Sequence, residues 1–161
     1  MDKPRTGSRN PRNSTRKPSK VKQFRQGKYT LVNPDKYLGN PDNIVYRSSW
    51  ELRCFQFFDN NSNVINWASE EIPIKYLKPT DKKIHTYWPD LFVVYADRSG
   101  IIRKELIEIK PEKQTKEPKK NANLYAKLDY AVNVSKWKAA AVWCESKGIK
   151  FRLLTEKHLF L

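Results

Sequence analysis

Two apolar stretches stand back to back in this chain: YWPDLFVVYA at residues 87–96 and IIRKELIEIK at 101–110. Asp97-Arg98-Ser99-Gly100 lies between them. Aromatic and β-branched runs flanking a turn cluster read as consecutive strands. A hairpin centred near Ser99 pairs positions whose numbers sum to about 198, which sets Asp90 opposite Glu108 at ~5 Å. Glu108 and Lys110 are two apart and share a face of their strand. A slip of one residue would send Asp90 to the other face. The simplest register therefore gathers an aspartate, a glutamate and a lysine on one patch of an otherwise apolar hairpin. Pro89 is acceptable where a strand begins or at a sheet edge.

Two neighbouring carboxylates repel when ionised, and each is costly to bury. A divalent cation relieves both penalties. An all-oxygen set suits Mg²⁺ or Mn²⁺ rather than zinc, and the two histidines, His85 and His158, are too far apart to form a zinc motif. Such a centre can direct water at a phosphodiester, with Lys110 positioning that water or neutralising developing charge. The plainer reading is a solvated strand face, on which Glu-x-Lys is common.

The surrounding pattern frames the hairpin. Ser48 to Phe58 reads as a helix with Trp50, Cys54, Phe57 and Phe58 on one face, ended by Asn60-Asn61-Ser62. Val64–Trp67 and Glu71–Tyr76 read as strand, with Ile72, Ile74 and Tyr76 on one side, and the next strand is expected around Trp88 to Tyr95. Asn123 to Ser146 is the longest helical pattern, with Gly148 as its C-terminal cap and Tyr125, Trp137 and Trp143 as core aromatics. Ile149–Leu154 alternates as a last strand. Helix, three strands, helix and strand suggest an α/β sandwich around a mixed sheet.

The net charge is +15, from 32 Lys and Arg against 17 Asp and Glu. That excess points to a polyanionic partner, most often nucleic acid. Residues 1–28 carry ten of the cations among prolines, serines and asparagines, a composition that cannot offset its ordering entropy. They are expected to form a flexible basic arm, with Arg5, Arg9, Arg12, Arg16 and Lys17 available to phosphates, ahead of a domain over 29–161. No apolar run is long enough to span a membrane, and the basic start lacks the apolar stretch of a secretory signal. Cys54 and Cys144 read as free thiols.

Pro89-Asp90 followed on the next strand by Glu108-Ile109-Lys110, with 17 residues between the acids, resembles the PD-(D/E)XK nuclease superfamily. Its restriction-endonuclease-like sandwich agrees with the element order above. The superfamily often has an acid in the preceding helix, and Glu51 in YRSSWE fits that place. Ser48-x-x-Glu51 is equally a capping box. More segments (VYRSSWE, NWASEEIPIKY, YWPDLFV, IEIKP, KWKAA and WCESKGIKFRLLTE) are similar to the head completion nucleases of large contractile-tailed phages and to TnsA-type transposon endonucleases, over about residues 29–161.

The resemblance implies a Mg²⁺-dependent DNA endonuclease. Asp90, Glu108, Glu51 and the Ile109 carbonyl would hold the metal, and Lys110 would be catalytic. Its substrate would be double-stranded DNA, with the phage portal or other head proteins as further partners, in the host cytoplasm and the virion. Lys113, Gln114, Lys116, Lys119 and Lys120, just beyond the acids, would follow the DNA backbone. Glu71 is a candidate accessory acid. No base-reading motif stands out, so little sequence specificity is expected. The competing expectation is a virion protein that binds DNA or the portal and keeps the nuclease fold only as scaffold.

Overall fold

The computed structural model describes residues 26–159. Arg5, Arg9, Arg12, Arg16 and Lys17 lie outside the described residues. A short pair, β1 (Gly27–Lys28) with β2 (Val45–Tyr46), precedes the first long helix, α1 (Ser49–Asn60). Four strands then build the main sheet and lie side by side in this order: β3 (Val64–Ser69), β6 (Leu91–Ala96), β7 (Ile102–Ile109) and β8 (Lys150–Leu154). The first three are antiparallel and β8 runs parallel to β7, so the sheet is mixed. The long helix α3 (Leu124–Ser146) makes the parallel crossover, and the four-residue helices α2 (Glu112–Thr115) and α4 (Glu156–Leu159) complete the fold.

Each face of the sheet buries its own core. Cys54, Phe55 and Phe58 of α1 pack with Trp67, Leu91, Val93, Ile107, Ile109 and Leu154. Ala140 and Cys144 of α3 pack with Leu106 and, partly buried, Phe92 and Phe151 on the other face. The alternation of Leu91 and Phe92, or Leu106 and Ile107, between these cores is the period-2 rule acting on a doubly covered sheet. The result is the expected α/β sandwich with a central mixed sheet. Cys54 and Cys144 are free and buried on opposite faces.

Leu91 pairs with Ile107 and Phe92 with Leu106, the register read from the sequence. The strand expected from Trp88 is instead broken. Ile84–Tyr87 forms β5 and pairs with β4 (Ile74–Leu77) in a separate two-stranded ribbon. Pro89, which has no N–H to give a ladder, is buried at the break. Likewise β4 starts at Ile74 rather than Glu71, since Pro73 cannot donate and Glu70 has φ +52°.

The α1 stripe is also shifted. Cys54, Phe55, Phe58 and Asp59 are buried, whereas Phe57 is 59% exposed. Asp59 is covered because it is a hub: it accepts from Tyr29 Oη at 2.9 Å and from the amides of Val32 at 2.7 Å and Asn33 at 2.9 Å. This pins the segment before α1 across the core, where Tyr37 meets Trp67 edge-on. On α3, Trp137 is buried and Trp143 partly so, but Tyr125 is 79% exposed. Gly148, at φ +65°, ends the helix, and Ile149 N–H bonds the Cys144 carbonyl. No helix among the described residues is long and apolar enough to cross a membrane.

Candidate active site

The break at Trp88-Pro89-Asp90 puts Asp90 one residue before β6, and extending the ladder by one position brings it opposite Glu108. The Ile109 amide donates to Asp90 Oδ2 at 2.7 Å, and the Glu70 amide donates to the Asp90 carbonyl at 3.2 Å. Asp90 is therefore held by its own oxygen and by its backbone, one bond to each neighbouring strand. Its side chain is partly open to solvent by area, yet protein atoms are packed closely around the carboxyl. Burial, and after it the charge of Glu108, push the Asp90 carboxyl up to about 8.

Glu108 is 4% exposed. Its Oε1 pairs with Lys110 Nζ at 3.0 Å, while Oε2 is buried with no hydrogen-bond partner among the described residues. A carboxylate oxygen left unpaired under a sheet is expensive. The Tyr87 hydroxyl is buried too, close to Glu108 but without a hydrogen bond of good geometry among the described residues, and burial followed by the charge of Glu108 pushes it up. Burial works to lower the Lys110 ammonium, but the charges of Glu108, Asp90 and Glu51 outweigh it and raise it overall. Parallel pairing with β8 fixes Lys110 in place, its amide bonding the Leu154 carbonyl at 2.9 Å.

Glu51 ties back to the helix cap in a variant of the capping box, its reciprocal backbone bond coming from Arg47, the residue before the cap. Ser48 Oγ accepts from the Glu51 amide at 3.1 Å and donates to Oε1 at 2.8 Å, and the Arg47 amide donates to Oε2 at 2.9 Å. Its charge acts on Asp90 and Lys110, so it lies at the rim of the site. Among the described residues no group of three or more Asp, Glu, His or Cys side chains gathers as a ready metal-ligand set. The pair Asp90–Glu108 forms the centre, with Glu51 engaged at the helix cap.

Lys113, Gln114, Lys116, Lys119 and Lys120 are all exposed on the segment leaving Lys110. Lys116 bonds Glu112 at 2.6 Å. His85 is paired with Asp81 on the ribbon surface at 2.7 Å. The Glu71 carboxylate lies against Gly39, where a Cβ would approach Oε1 to 2.3 Å. Sequence reading passed over Arg47 and Tyr87, although both lie within the segments that carry the resemblance.

A mixed sheet between two helical layers, with opposed acids and a lysine at a strand break, defines a nuclease-like α/β domain. The TnsA-like endonuclease N-terminal family matches residues 61–156, more than half of the chain and inclusive of Asp90, Glu108 and Lys110. The chain is also 39% identical, over 142 residues, to the head completion nuclease of Enterobacteria phage T4, covering 83% of this chain and 92% of that protein. The chain belongs to the TnsA-like endonuclease family.

Proposed function

We propose that this protein is a Mg²⁺-dependent DNA endonuclease of the PD-(D/E)XK type, with Mn²⁺ as an alternative metal, acting with little sequence specificity in phage head completion. The observation that carries the reading is the opposed pair Asp90 and Glu108, beside Lys110, with Glu108 Oε2 buried and unpaired among the described residues. That unpaired oxygen and the raised Asp90 carboxyl fit a site that takes a cation. Asp90, Glu108 and the Ile109 carbonyl would hold it, with Glu51 contributing from the rim. When bound, a divalent cation supplies the charge that keeps both carboxylates ionised and polarises a phosphoryl group.

The chain's own residues supply orientation. The Ile109 amide fixes the Asp90 rotamer, and the Lys110 ammonium stands ready beside Glu108 to neutralise charge developing on a phosphate oxygen. Leu106, two positions before Glu108 on the same face of β7, belongs with Tyr87 and Ile74 to the buried apolar cluster under α3. Lys113, Gln114, Lys116, Lys119 and Lys120 would follow the backbone of double-stranded DNA, joined by the basic arm. The name of the phage T4 relative supports a role in head completion in the infected cell and the virion, with portal or other head proteins as partners.

The test is nicking of a supercoiled plasmid in Mg²⁺ or Mn²⁺, beside EDTA and beside Asp90→Ala. Cleavage that needs the metal and is lost in the variant supports the proposal. Well-folded protein that shifts DNA without cutting it favours the non-catalytic virion protein instead.

A further inference from the structure

Arg47 and Glu70 form a two-pronged pair. Arg47 Nε reaches Glu70 Oε1 at 3.2 Å and its terminal nitrogen reaches Oε2 at 2.9 Å. Both residues are also bonded to acids of the candidate site through their backbones. The Arg47 amide donates to Glu51 Oε2 at 2.9 Å, and the Glu70 amide donates to the Asp90 carbonyl at 3.2 Å. The pair therefore stands at the mouth of the acidic centre, between the N-terminus of α1 and the end of β3.

Two features make a purely structural role a poor account. The side chains are 63% and 36% exposed, and exposed ion pairs add little stability. Yet Glu70 adopts φ +52° to stand there, a left-handed conformation that is unfavourable for a residue with a Cβ. That conformation falls on the residue whose carboxylate holds the guanidinium, beside the candidate acids. The guanidinium fork suits a phosphate as well as it suits a carboxylate.

We propose that Arg47 is a DNA-backbone contact: its guanidinium exchanges the Glu70 carboxylate for a phosphate beside the acidic centre, and Glu70 holds it aimed until DNA arrives. This rests on the endonuclease reading for its substrate. It adds a binding residue on the α1 side of the site, on a different element from the lysines that follow Lys110.

The test is fluorescence anisotropy of a labelled duplex with the full-length chain in EDTA, over about 50 to 200 mM KCl, for wild type, Arg47→Ala, Arg47→Lys and Glu70→Gln. Arg47→Ala should weaken binding by about tenfold and lower the salt slope by about one. Arg47→Lys should keep the slope. Glu70→Gln should bind as tightly as wild type or more tightly, because it frees the guanidinium. Unchanged affinity and slope in Arg47→Ala would overturn the proposal, as would a Glu70→Gln loss equal to that of Arg47→Ala, which would make the pair a strut. Plasmid nicking run in parallel separates the two ideas. Arg47-dependent binding by a protein that never cuts would retain the phosphate contact and reject the endonuclease.

Discussion

Replacing Asp90 with asparagine should make the metal-free protein more stable while it abolishes cleavage. The Asp90 carboxyl moves from its ordinary 3.8 to about 8 on folding. A raised carboxyl contributes stability that is complete below its unfolded value and is lost as pH climbs through its folded one. The wild-type protein should therefore weaken between about pH 4 and pH 8. The Asp90→Asn variant, with an uncharged amide at that position, should not.

Each pKa unit is worth about 1.4 kcal/mol, so the full shift would cost the wild type about 4 kcal/mol more at pH 8 than at pH 5. Asp90 is partly open to water and shares its repulsion with Glu108, so about 2 kcal/mol is the working figure. Asparagine keeps an oxygen for the Ile109 amide, so the bond that orients the side chain survives. Urea unfolding in EDTA at pH 5 and pH 8 measures the effect. The advantage of Asp90→Asn over wild type should grow by about 2 kcal/mol between the two pH values. An equal or smaller advantage at pH 8 would refute the reasoning, because it would mean that solvent or Lys110 already stabilises the ionised Asp90.

Further outcomes follow from the same geometry. Glu108→Gln should lose plasmid nicking while keeping duplex affinity by anisotropy, since the acid serves the centre and not the grip. Asp59→Ala strands the Tyr29 hydroxyl and the Val32 and Asn33 amides, so it should cost about 3 kcal/mol in urea unfolding, with hydrogen-exchange protection at residues 29–37 lost first. Gly148→Ala meets open space but sits at φ +65°, so it should cost about 1 kcal/mol from backbone strain alone. Phe55→Ala, at 0% exposure against Tyr29 and Trp67, should cost about 3 to 5 kcal/mol and lower the thermal midpoint.

The hairpin was legible because its information is local. The turn at Asp97–Gly100 and the alternation of two apolar runs fix the register, and the register alone sets Asp90 against Glu108. The capping box at Ser48 and Glu51 and the helix stop at Gly148 are equally short-range, and the sequence spells them out. The same holds for the alternation of helices and strands, which determined the α/β class.

Tertiary structure decided what depends on partners distant in the chain. Phe57 and Tyr125 are aromatic and helical, but no layer among the described residues covers them, so both are exposed there. Asp59 is a carboxylate by sequence and a buried hub in the fold, because the segment from Tyr29 to Asn33 brings donors to it. Pro89 breaks the Trp88 strand locally, but that β4 and β5 pair as a separate ribbon goes with the packing of Ile74, Tyr76 and Tyr87 against Ala140 and Cys144 of α3. The pairing of Arg47 with Glu70, 23 residues apart, exists only once α1 and the end of β3 have met. Local dihedral preference and period-2 patterning are written residue by residue, whereas burial and charge pairing belong to whichever surfaces the completed chain brings together.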